Sequence, residues 1–288
     1  MSTPQHSTPS QQLLPDVDHV LAVASGKGGV GKSTVCINLA RALARSGARV
    51  GLLDADIYGP SLPLLMGVRE APEIANERIL PVEAEGIAVM SIGLLTEAET
   101  PVVWRGPLLA QAVQQFVSQV AWGALDYLLV DLPPGTGDIP LTLSQQVALT
   151  GAVIVTTPQS VAIEDVERGI AMFAKVEVEV VGLVENMSYF LCPHCAERHP
   201  VFGESGGREM AQRLHLPLLG TLPLVPELET AATAAGVSLT GSFAPIASRV
   251  FSAVAGLEDC LASPILPPLF PPHVTFPFPP LCHAPHTL

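Results

Sequence analysis

Positive charge is scarce in this sequence. Its 288 residues include 14 Lys and Arg against 27 Asp and Glu, which gives a formal net charge of −13 at pH 7. A chain with this balance lacks the basic surface that binds nucleic acid phosphates regardless of sequence. We therefore expect no nucleic acid among its partners.

Long apolar runs and a regular cysteine pattern are also missing. No run of about 18 apolar residues occurs, so we expect no membrane-spanning helix and no membrane partner. The cysteines are odd in number and unevenly spaced, at positions 36, 192, 195, 260 and 282, which excludes a secreted disulfide framework. The first 26 residues contain no Lys or Arg, unlike a secretory or transit peptide. We expect a cytoplasmic protein, or one of the mitochondrial matrix if the native N-terminus is longer.

The chain is rich in short apolar runs that alternate with helical patterns. Apolar residues make up 48% of it, and buried strands are predicted at 19–24, 50–53, 126–130, 153–156 and 178–184. Helices are predicted at 33–46, 108–120 and about 139–148, the first with an apolar stripe of Val35, Leu39, Ala42 and Leu43. Strands that alternate with helices indicate an α/β fold, a doubly wound and mostly parallel sheet with helices on both faces. We predict one P-loop NTPase domain over residues 19–257.

The two ends of the chain have a different composition. Residues 1–18 are rich in Ser, Pro, Gln and Thr without periodicity, which predicts a disordered lead. The last 31 residues, 258–288, are predicted to form a disordered tail, since nine prolines and no charged side chain occur from residue 264 onward.

The clearest motif is a glycine-rich phosphate loop between a predicted strand and a predicted helix. It matches G-x-x-x-x-G-K-[ST] with the residues Gly26, Lys27, Gly28, Gly29, Val30, Gly31, Lys32, Ser33 and Thr34. Such a loop points successive amides into one concavity, and the helix N-terminus adds its positive dipole end. Lys32 is expected to reach the β- and γ-phosphates and Ser33 to bind Mg²⁺. Lys27 is a second lysine that an ordinary phosphate loop does not require.

Acidic residues follow two of the predicted strands. Asp131 stands after an apolar run at the Walker-B position, where a carboxylate holds Mg²⁺ opposite Ser33. Asp54 and Asp56 follow another strand, and only one of them is expected to face the nucleotide, because alternate extended residues point to opposite sides. We expect Asp56 to orient the attacking water and Asp54 to lie near the Mg²⁺ shell. The alternative is a solvated acidic turn.

Asn186 follows the predicted strand 178–184 at the same edge of the sheet. Its side-chain amide can read the edge of an adenine base, which makes it a candidate cofactor-binding residue. The alternative is an Asn that only forms a turn.

The pair Cys192 and Cys195 is predicted to lie on a loop over residues 187–203, outside the sheet. Two thiolates at C-x-x-C spacing bind one metal ion or one edge of a cluster, but they supply only two of about four ligands. Three readings stay open from spacing alone: a metal or cluster site shared between chains, a local zinc site completed by His194 or His199, and redox or inert cysteines. Two chains together would supply enough cysteines for a 4Fe–4S cluster.

Taken together, these segments resemble the Mrp/NUBPL family of nucleotide-binding iron–sulfur carriers, a branch of the MinD/ParA-like deviant Walker A ATPases. The resemblance covers about residues 19–257. The matching segments are Gly26 to Ser33, Asp54-x-Asp56-x-x-Gly59-Pro60-Ser61, Trp104-Arg105-Gly106-Pro107, Asp131-x-Pro133-Pro134-Gly135-Thr136-Gly137-Asp138, and Glu185-Asn186-Met187-Ser188 leading to Cys192 and Cys195.

This resemblance implies a homodimer with ATP in its interface, where Lys27 contacts the partner's nucleotide. It implies that Lys27, Lys32 and Asp56 serve a slow ATP hydrolysis coupled to cluster transfer. It also implies a 4Fe–4S cluster bridged by Cys192 and Cys195 of both subunits and delivered to apo iron–sulfur client proteins, with respiratory complex I assembly as one destination.

A different class of function is a MinD/ParA-like positioning ATPase whose cysteines bind zinc or are incidental. Such proteins bind a membrane through a C-terminal amphipathic helix or bind DNA through basic patches. Neither feature is present in this sequence.

Overall fold

The computed structural model describes residues 14–56, 59–95, 115–135, 137, 141, 147–159, 162–203, 206–225 and 240–261. The strands are β1 (Val17–Ser25), β2 (Val50–Asp54), β3 (Ile74–Ala75), β4 (Arg78–Ile79), β5 (Val82–Ala84), β6 (Ile87–Ser91), β7 (Leu125–Asp131), β8 (Gly151–Thr156), β9 (Val180–Leu191), β10 (Arg198–His199) and β11 (Leu218–Leu224). The helices are α1 (Lys32–Arg45), α2 (Leu62–Met66), α3 (Ala162–Lys175), α4 (Gly206–Arg213) and α5 (Thr240–Leu261), with a short helical segment at 115–119.

Among these residues the main sheet has nine strands in the order β10-β9-β8-β1-β7-β2-β6-β5, and β11 pairs along β9. The pairs formed by β1, β2, β6, β7, β8, β9 and β11 are parallel, while β5 and β10 add antiparallel pairs. The predicted α/β fold with a mostly parallel sheet is confirmed.

Helices cover both faces of this sheet, because successive side chains of β1 pack into two different apolar clusters. Leu21 and Val23 belong to the apolar cluster that includes α1 and α5, while Val20, Ala22 and Ala24 belong to the cluster that includes α3 and α4. Successive strand residues point to opposite faces, so a strand that is apolar at every position is buried on both sides. The central strands therefore lie in the core, and β2, β7 and β8 are buried along their whole length.

Helix α1 follows the predicted pattern closely. Its predicted apolar stripe of Val35, Leu39, Ala42 and Leu43 is buried against the sheet. The helix ends at Arg45, and Gly47 just beyond it has φ +97°, a left-handed conformation that glycine adopts without steric cost. This helix holds the phosphate loop against β1.

Several boundaries differ from the prediction. Strand β1 begins at Val17, inside the stretch predicted as a disordered lead, because Val17 pairs with Leu125 of β7. An aspartate on each side of Val17 hides the apolar pattern of this strand in the sequence. Helix α5 ends at Leu261, inside the predicted tail. Most of the helices predicted at 108–120 and 139–148, and the tail from 262 onward, lie outside the described residues.

The largest difference concerns β9, predicted to end at residue 184. It extends to Leu191, because β11 pairs with it in parallel as far as Phe190 and β10 pairs with its last two residues. Its neighbour β8 ends at the pair Thr156 and Glu185, so β9 projects beyond the carboxyl edge of the central strands. Within the described part of the chain, every helix is too short or too polar to cross a membrane.

Candidate nucleotide site and cysteine hairpin

The phosphate loop lies at the carboxyl end of β1, between Ser25 and the start of α1. Gly29 and Gly31 both have φ +79°, a left-handed conformation that favours glycine. Gly31 is the N-cap of α1 and has no side chain that could accept a hydrogen bond from the first helical amides. Those amides and the positive end of the helix dipole are therefore left to bind an anion.

The remaining loop residues pack against three other segments. Gly26 lies against Asp165 of α3, where a Cβ atom would come within 2.5 Å, and Gly28 lies 4.0 Å from Pro134 by the same measure. The half-buried Lys27 donates from Nζ to Oε1 of Gln159 at 3.1 Å. Val30 is buried, and the carbonyl of Thr34 accepts a hydrogen bond within α1.

Lys32 occupies the centre of the predicted site. Its Nζ atom lies 2.6 Å from Oδ1 of Asp131 and 3.9 Å from Oδ2 of Asp56. The Lys32 side chain is 6% exposed and that of Asp131 is 0% exposed. The structure thus brings together three residues predicted from separate motifs, and the lysine balances two carboxylates.

Asp131 ends β7 and presents one oxygen that protein groups leave unsatisfied. Among the described residues, Oδ2 of Asp131 is buried without a hydrogen-bond partner. Burial raises the pKa of Asp131, while the charge of Lys32 and the nearby Ser33 hydroxyl lower it. A buried, orphaned carboxylate oxygen beside a hydroxyl is a donor set that suits Mg²⁺. Asp131 and Ser33 therefore fit the metal position predicted for them.

Asp54 lies beside Asp131 because β2 and β7 pair in register. It is fully buried and accepts from Ser91 Oγ at 3.0 Å and from the amides of Asp56 at 3.1 Å and Leu62 at 3.3 Å. Burial, together with the charge of Asp131, raises the pKa of Asp54 to about 7. Both of its oxygens bond protein donors, so Asp54 anchors the loop that carries Asp56. Its place near a Mg²⁺ shell stays a prediction.

Asn186 contacts the phosphate loop directly. Its Nδ2 atom donates to the Val30 carbonyl at 2.8 Å and lies 2.3 Å from where a Cβ on Gly31 would be. The amide is thus engaged with the loop on which phosphates are expected, and adenine recognition by Asn186 stays a prediction. It lies one residue past the pairing with β8, at the sheet edge, although β9 itself continues.

Two neighbours of the site, Ser91 and Gln159, were missed by the sequence reasoning, and Glu185 was named there only as part of a matching segment. Ser91 ends β6 and Glu185 ends the β8-paired part of β9, so the strand-end rule used for Asp131 could have found both. The buried Glu185 carboxylate accepts from the Gly207 amide at the start of α4 and from the Ser188 hydroxyl. It thereby ties β9 to α4.

Beyond Asn186, β9 leads directly to the cysteines. Met187 has φ +56°, which bends the strand, and the strand then continues to Leu191. At about 3.3 Å per extended residue, the chain from Asn186 to Cys192 spans at most about 20 Å. The prediction that a loop leaves the sheet at residue 187 is therefore wrong. The cysteines occupy the turn of a hairpin at the end of a sheet strand.

The turn between β9 and β10 gathers three potential metal ligands. The thiols of Cys192 and Cys195 and an imidazole nitrogen of His199 lie within 4.8 Å of one another. The backbone amides of Cys195 and His194 and the Cys195 thiol donate to Cys192, which lowers the pKa of the Cys192 thiol. Cys36, in contrast, is buried in the core, and burial raises the pKa of its thiol.

Exposed apolar side chains flank the three potential ligands along the chain. Leu191 is 50% exposed, Val201 50% and Phe202 36%. Exposed large apolar side chains near a functional group are typical of an interaction surface.

Comparisons with known proteins agree on one family. A ParA family model described as NUBPL iron-transfer P-loop NTPase matches residues 16–255. The chain is 50% identical over 248 residues to the iron-sulfur cluster carrier protein of Deinococcus radiodurans, covering 85% of this chain and 70% of that one. It is 45% identical over 258 residues to the Arabidopsis thaliana iron-sulfur protein required for NADH dehydrogenase, mitochondrial, covering 87% and 82%.

Solved structures show the same fold. The nucleotide-binding protein of Archaeoglobus fulgidus, described in complex with ADP and with cobalt found, has a TM-score of 0.68 at 41% identity, covering 81% of this chain and 89% of that one. The cell division ATPase MinD of Pyrococcus furiosus has a TM-score of 0.59 at 20% identity, covering 81% and 98%. The likeness to MinD shows the fold alone.

Proposed function

The chain belongs to the family of NUBPL iron-transfer P-loop NTPases, and from this premise we propose that it is an ATP-hydrolysing iron–sulfur cluster carrier. Two copies would hold a 4Fe–4S cluster between their cysteine hairpins and deliver it to apo-proteins. One observation carries the proposal: a single strand, β9, connects the phosphate loop, through Asn186, to Cys192. The candidate nucleotide site and the thiols are thus linked by one continuous strand.

ATP would bind with its phosphates in the loop from Gly26 to Thr34. Lys32 is held between Asp131 and Asp56, so the triphosphate would compete with these carboxylates for the lysine charge. Mg²⁺ would be held by Ser33 and Asp131, and when bound it neutralises charge on the phosphate oxygens. Asp56 is partly exposed next to Lys32 and would orient the attacking water.

Hydrolysis would be slow and coupled to cluster transfer. Each hydrolysis event would change how the two chains hold the cluster. Lys27 extends from the loop to Gln159 on its surface, where a second chain could be reached. In the dimer, Lys27 would contact the partner's nucleotide. This would make hydrolysis depend on the assembly that holds the cluster.

The dimer is supported by the ligand count at the hairpin. A 4Fe–4S cluster takes about four cysteine ligands, and one hairpin offers two. The exposed Leu191, Val201 and Phe202 next to the thiols would be covered by the second chain. An apolar surround would also limit the access of water to the cluster.

The clients and compartment follow the relatives. Respiratory complex I is the client that the name of the Arabidopsis protein suggests. We place the protein in the cytoplasm, with the mitochondrial matrix as the alternative setting.

The test is anaerobic reconstitution of the full chain with iron and sulfide, followed by visible absorption and iron counting. We expect about four irons per two chains. Cys192→Ala should abolish the cluster, and Cys260→Ala, a cysteine of α5, should retain it. Absence of a cluster in the unaltered protein, or equal iron in Cys192→Ala, would contradict the proposal.

A further inference from the structure

The cysteine hairpin offers one more ligand per chain than a shared cluster requires. His199 lies on β10 opposite Phe190 of β9, and its imidazole lies within 4.8 Å of both thiols. The same hairpin carries His194, which is outside this ligand set as the described residues are arranged. The topology therefore selects one of two nearby histidines.

The hairpin holds these ligands in place through its backbone. The Ala196 amide donates to the Cys192 carbonyl at 2.9 Å, and the Cys192 amide donates to the Glu197 carbonyl at 3.0 Å. Ala196 has φ +58°, the left-handed conformation that closes this tight turn. Both bonds lie within the turn, so its shape does not require a bound ligand.

A cation–π contact fixes the strand that carries His199. The Arg198 guanidinium lies 4.4 Å from the centre of the Tyr189 ring, on the opposite strand of the hairpin. The positive guanidinium is attracted to the negative face of the ring, which stabilises this pairing of the two strands. With the pairing of Arg198 to Leu191, this contact sets the register that brings His199 to the thiols.

We propose that each single chain binds one thiophilic divalent cation of the zinc class through Cys192 Sγ, Cys195 Sγ and the imidazole of His199. The fourth, tetrahedral position would stay open to water. In a tetrahedral zinc site with bonds of about 2.0–2.3 Å, ligand atoms are roughly 3.5–3.7 Å apart. Atoms within 4.8 Å of one another reach that spacing by side-chain rotation. Binding releases both thiol protons to solvent and involves no redox change.

The inference rests on the proposed function, because the same thiolates would later hold the shared cluster. One chain with three ligands suits a single ion, while two chains with four thiolates suit the cluster. The two states would exclude each other, and His199 would be a ligand only in the single-chain state. A bound ion would thus protect the thiols before dimerisation and would have to leave before cluster loading.

The experiment is an anaerobic titration of the full apo chain with Co²⁺, which reports tetrahedral thiolate ligation by its visible absorption, followed by displacement with Zn²⁺. We expect one Co²⁺ per chain. His199→Ala should weaken Zn²⁺ binding by at least about tenfold, since even residues outside the ligand set of such sites contribute about that much. His194→Ala, the matched control, should bind as the unaltered protein does.

Equal affinity in His199→Ala and the unaltered protein would overturn the inference, as would one ion per two chains. Cluster reconstitution of His199→Ala separates this outcome from failure of the proposed function. A full cluster in His199→Ala leaves the carrier function intact whatever the cobalt titration shows. An unaltered chain that binds Co²⁺ but takes no cluster would contradict the carrier function alone.

Discussion

Lys32 and Asp131 form the buried ion pair at the centre of the proposed nucleotide site. Their charged atoms are 2.6 Å apart, and both side chains are buried. A buried ion pair contributes little net stability, because removing both charges from water offsets their attraction. Loss of one partner is costly, however, since it leaves a buried charge without compensation.

We therefore expect Lys32→Met to lower the free energy of unfolding by about 3–5 kcal/mol at neutral pH. It should also abolish ATP binding. The double variant Lys32→Met with Asp131→Asn should recover most of the stability and none of the binding. Urea denaturation and titration with a fluorescent ATP analogue measure the two effects. A single variant as stable as the unaltered protein would show that the pair is more hydrated than its burial indicates.

Because its pKa is raised, Asp54 makes the folded state less stable as pH rises, whereas a carboxylate with a lowered pKa makes it more stable. The pKa of Asp54 is about 7, raised by burial and by Asp131, so the folded state holds a proton that the unfolded state has already lost at pH 5. The stabilisation from this proton is complete below the unfolded value near 4 and is lost as pH rises through 7.

Asp54→Asn removes this titration. The free energy of unfolding of the variant relative to the unaltered protein should rise by about 2–3 kcal/mol between pH 5 and pH 8, at about 1.4 kcal/mol per pKa unit. Asp126→Asn is the control, because hydrogen bonds from Arg49 lower the pKa of Asp126 and place its titration below this window. Chemical denaturation at pH 5 and pH 8 measures the free energy of unfolding of each variant. If this free energy, relative to the unaltered protein, changes equally with pH in both variants, the raised pKa of Asp54 is refuted.

At the scale of elements, β9 is the strand that sequence reasoning described least well. Its first half has the continuous apolar pattern of a buried strand, and that half was predicted. Its second half is half-buried and includes the left-handed Met187, a pattern typical of a turn. Pairing with β11, a strand distant in sequence, and with β10 across the hairpin keeps it extended. No local pattern reports such pairing.

Asn186 is where β9 meets the phosphate loop, and Asn186→Ala tests that contact. Loss of a hydrogen bond of about 1 kcal/mol to Val30 should weaken ATP binding roughly fivefold. Ser188→Ala, on the same strand, removes a donor to Glu185 instead and should leave ATP affinity unchanged. Binding is measured with a fluorescent nucleotide. Equal affinities for all three proteins would mean that the contact does not support the loop.

At the scale of the whole molecule, the exposed apolar residues at the hairpin bear on assembly. Replacing Phe202 or Leu191 by Ser should weaken dimer formation by about tenfold, as expected for losing roughly 1.4 kcal/mol of apolar burial. Ile74→Ser is the control, since Ile74 is 76% exposed on the separate β3–β4 hairpin. Sedimentation of the cluster-loaded protein measures the dimer. Similar weakening by all three substitutions would contradict a specific interface at the cysteines.

The sequence by itself determined the chemistry of each segment. A phosphate loop needs glycines at positive φ next to a lysine, and carboxylates after apolar runs lie at strand ends, so short-range patterns were enough to predict where Gly31, Lys32 and Asp131 stand, while their roles stay predictions. Such patterns sufficed also for the α/β fold, because alternating strands and helices admit few topologies.

Only the tertiary structure decided which segments meet. Asp54 lies beside Asp131 because β7 pairs in register with β2, and Asn186 reaches Val30 across 156 positions of sequence. His199, rather than His194, approaches the thiols because β10 pairs with β9 in one register. Register between distant strands depends on which faces they bury together, and in the β9–β10 hairpin it depends on the turn that joins them, so it is settled only when the strands pair. The candidate residues could thus be predicted from the sequence, and only the fold shows which of them contact one another.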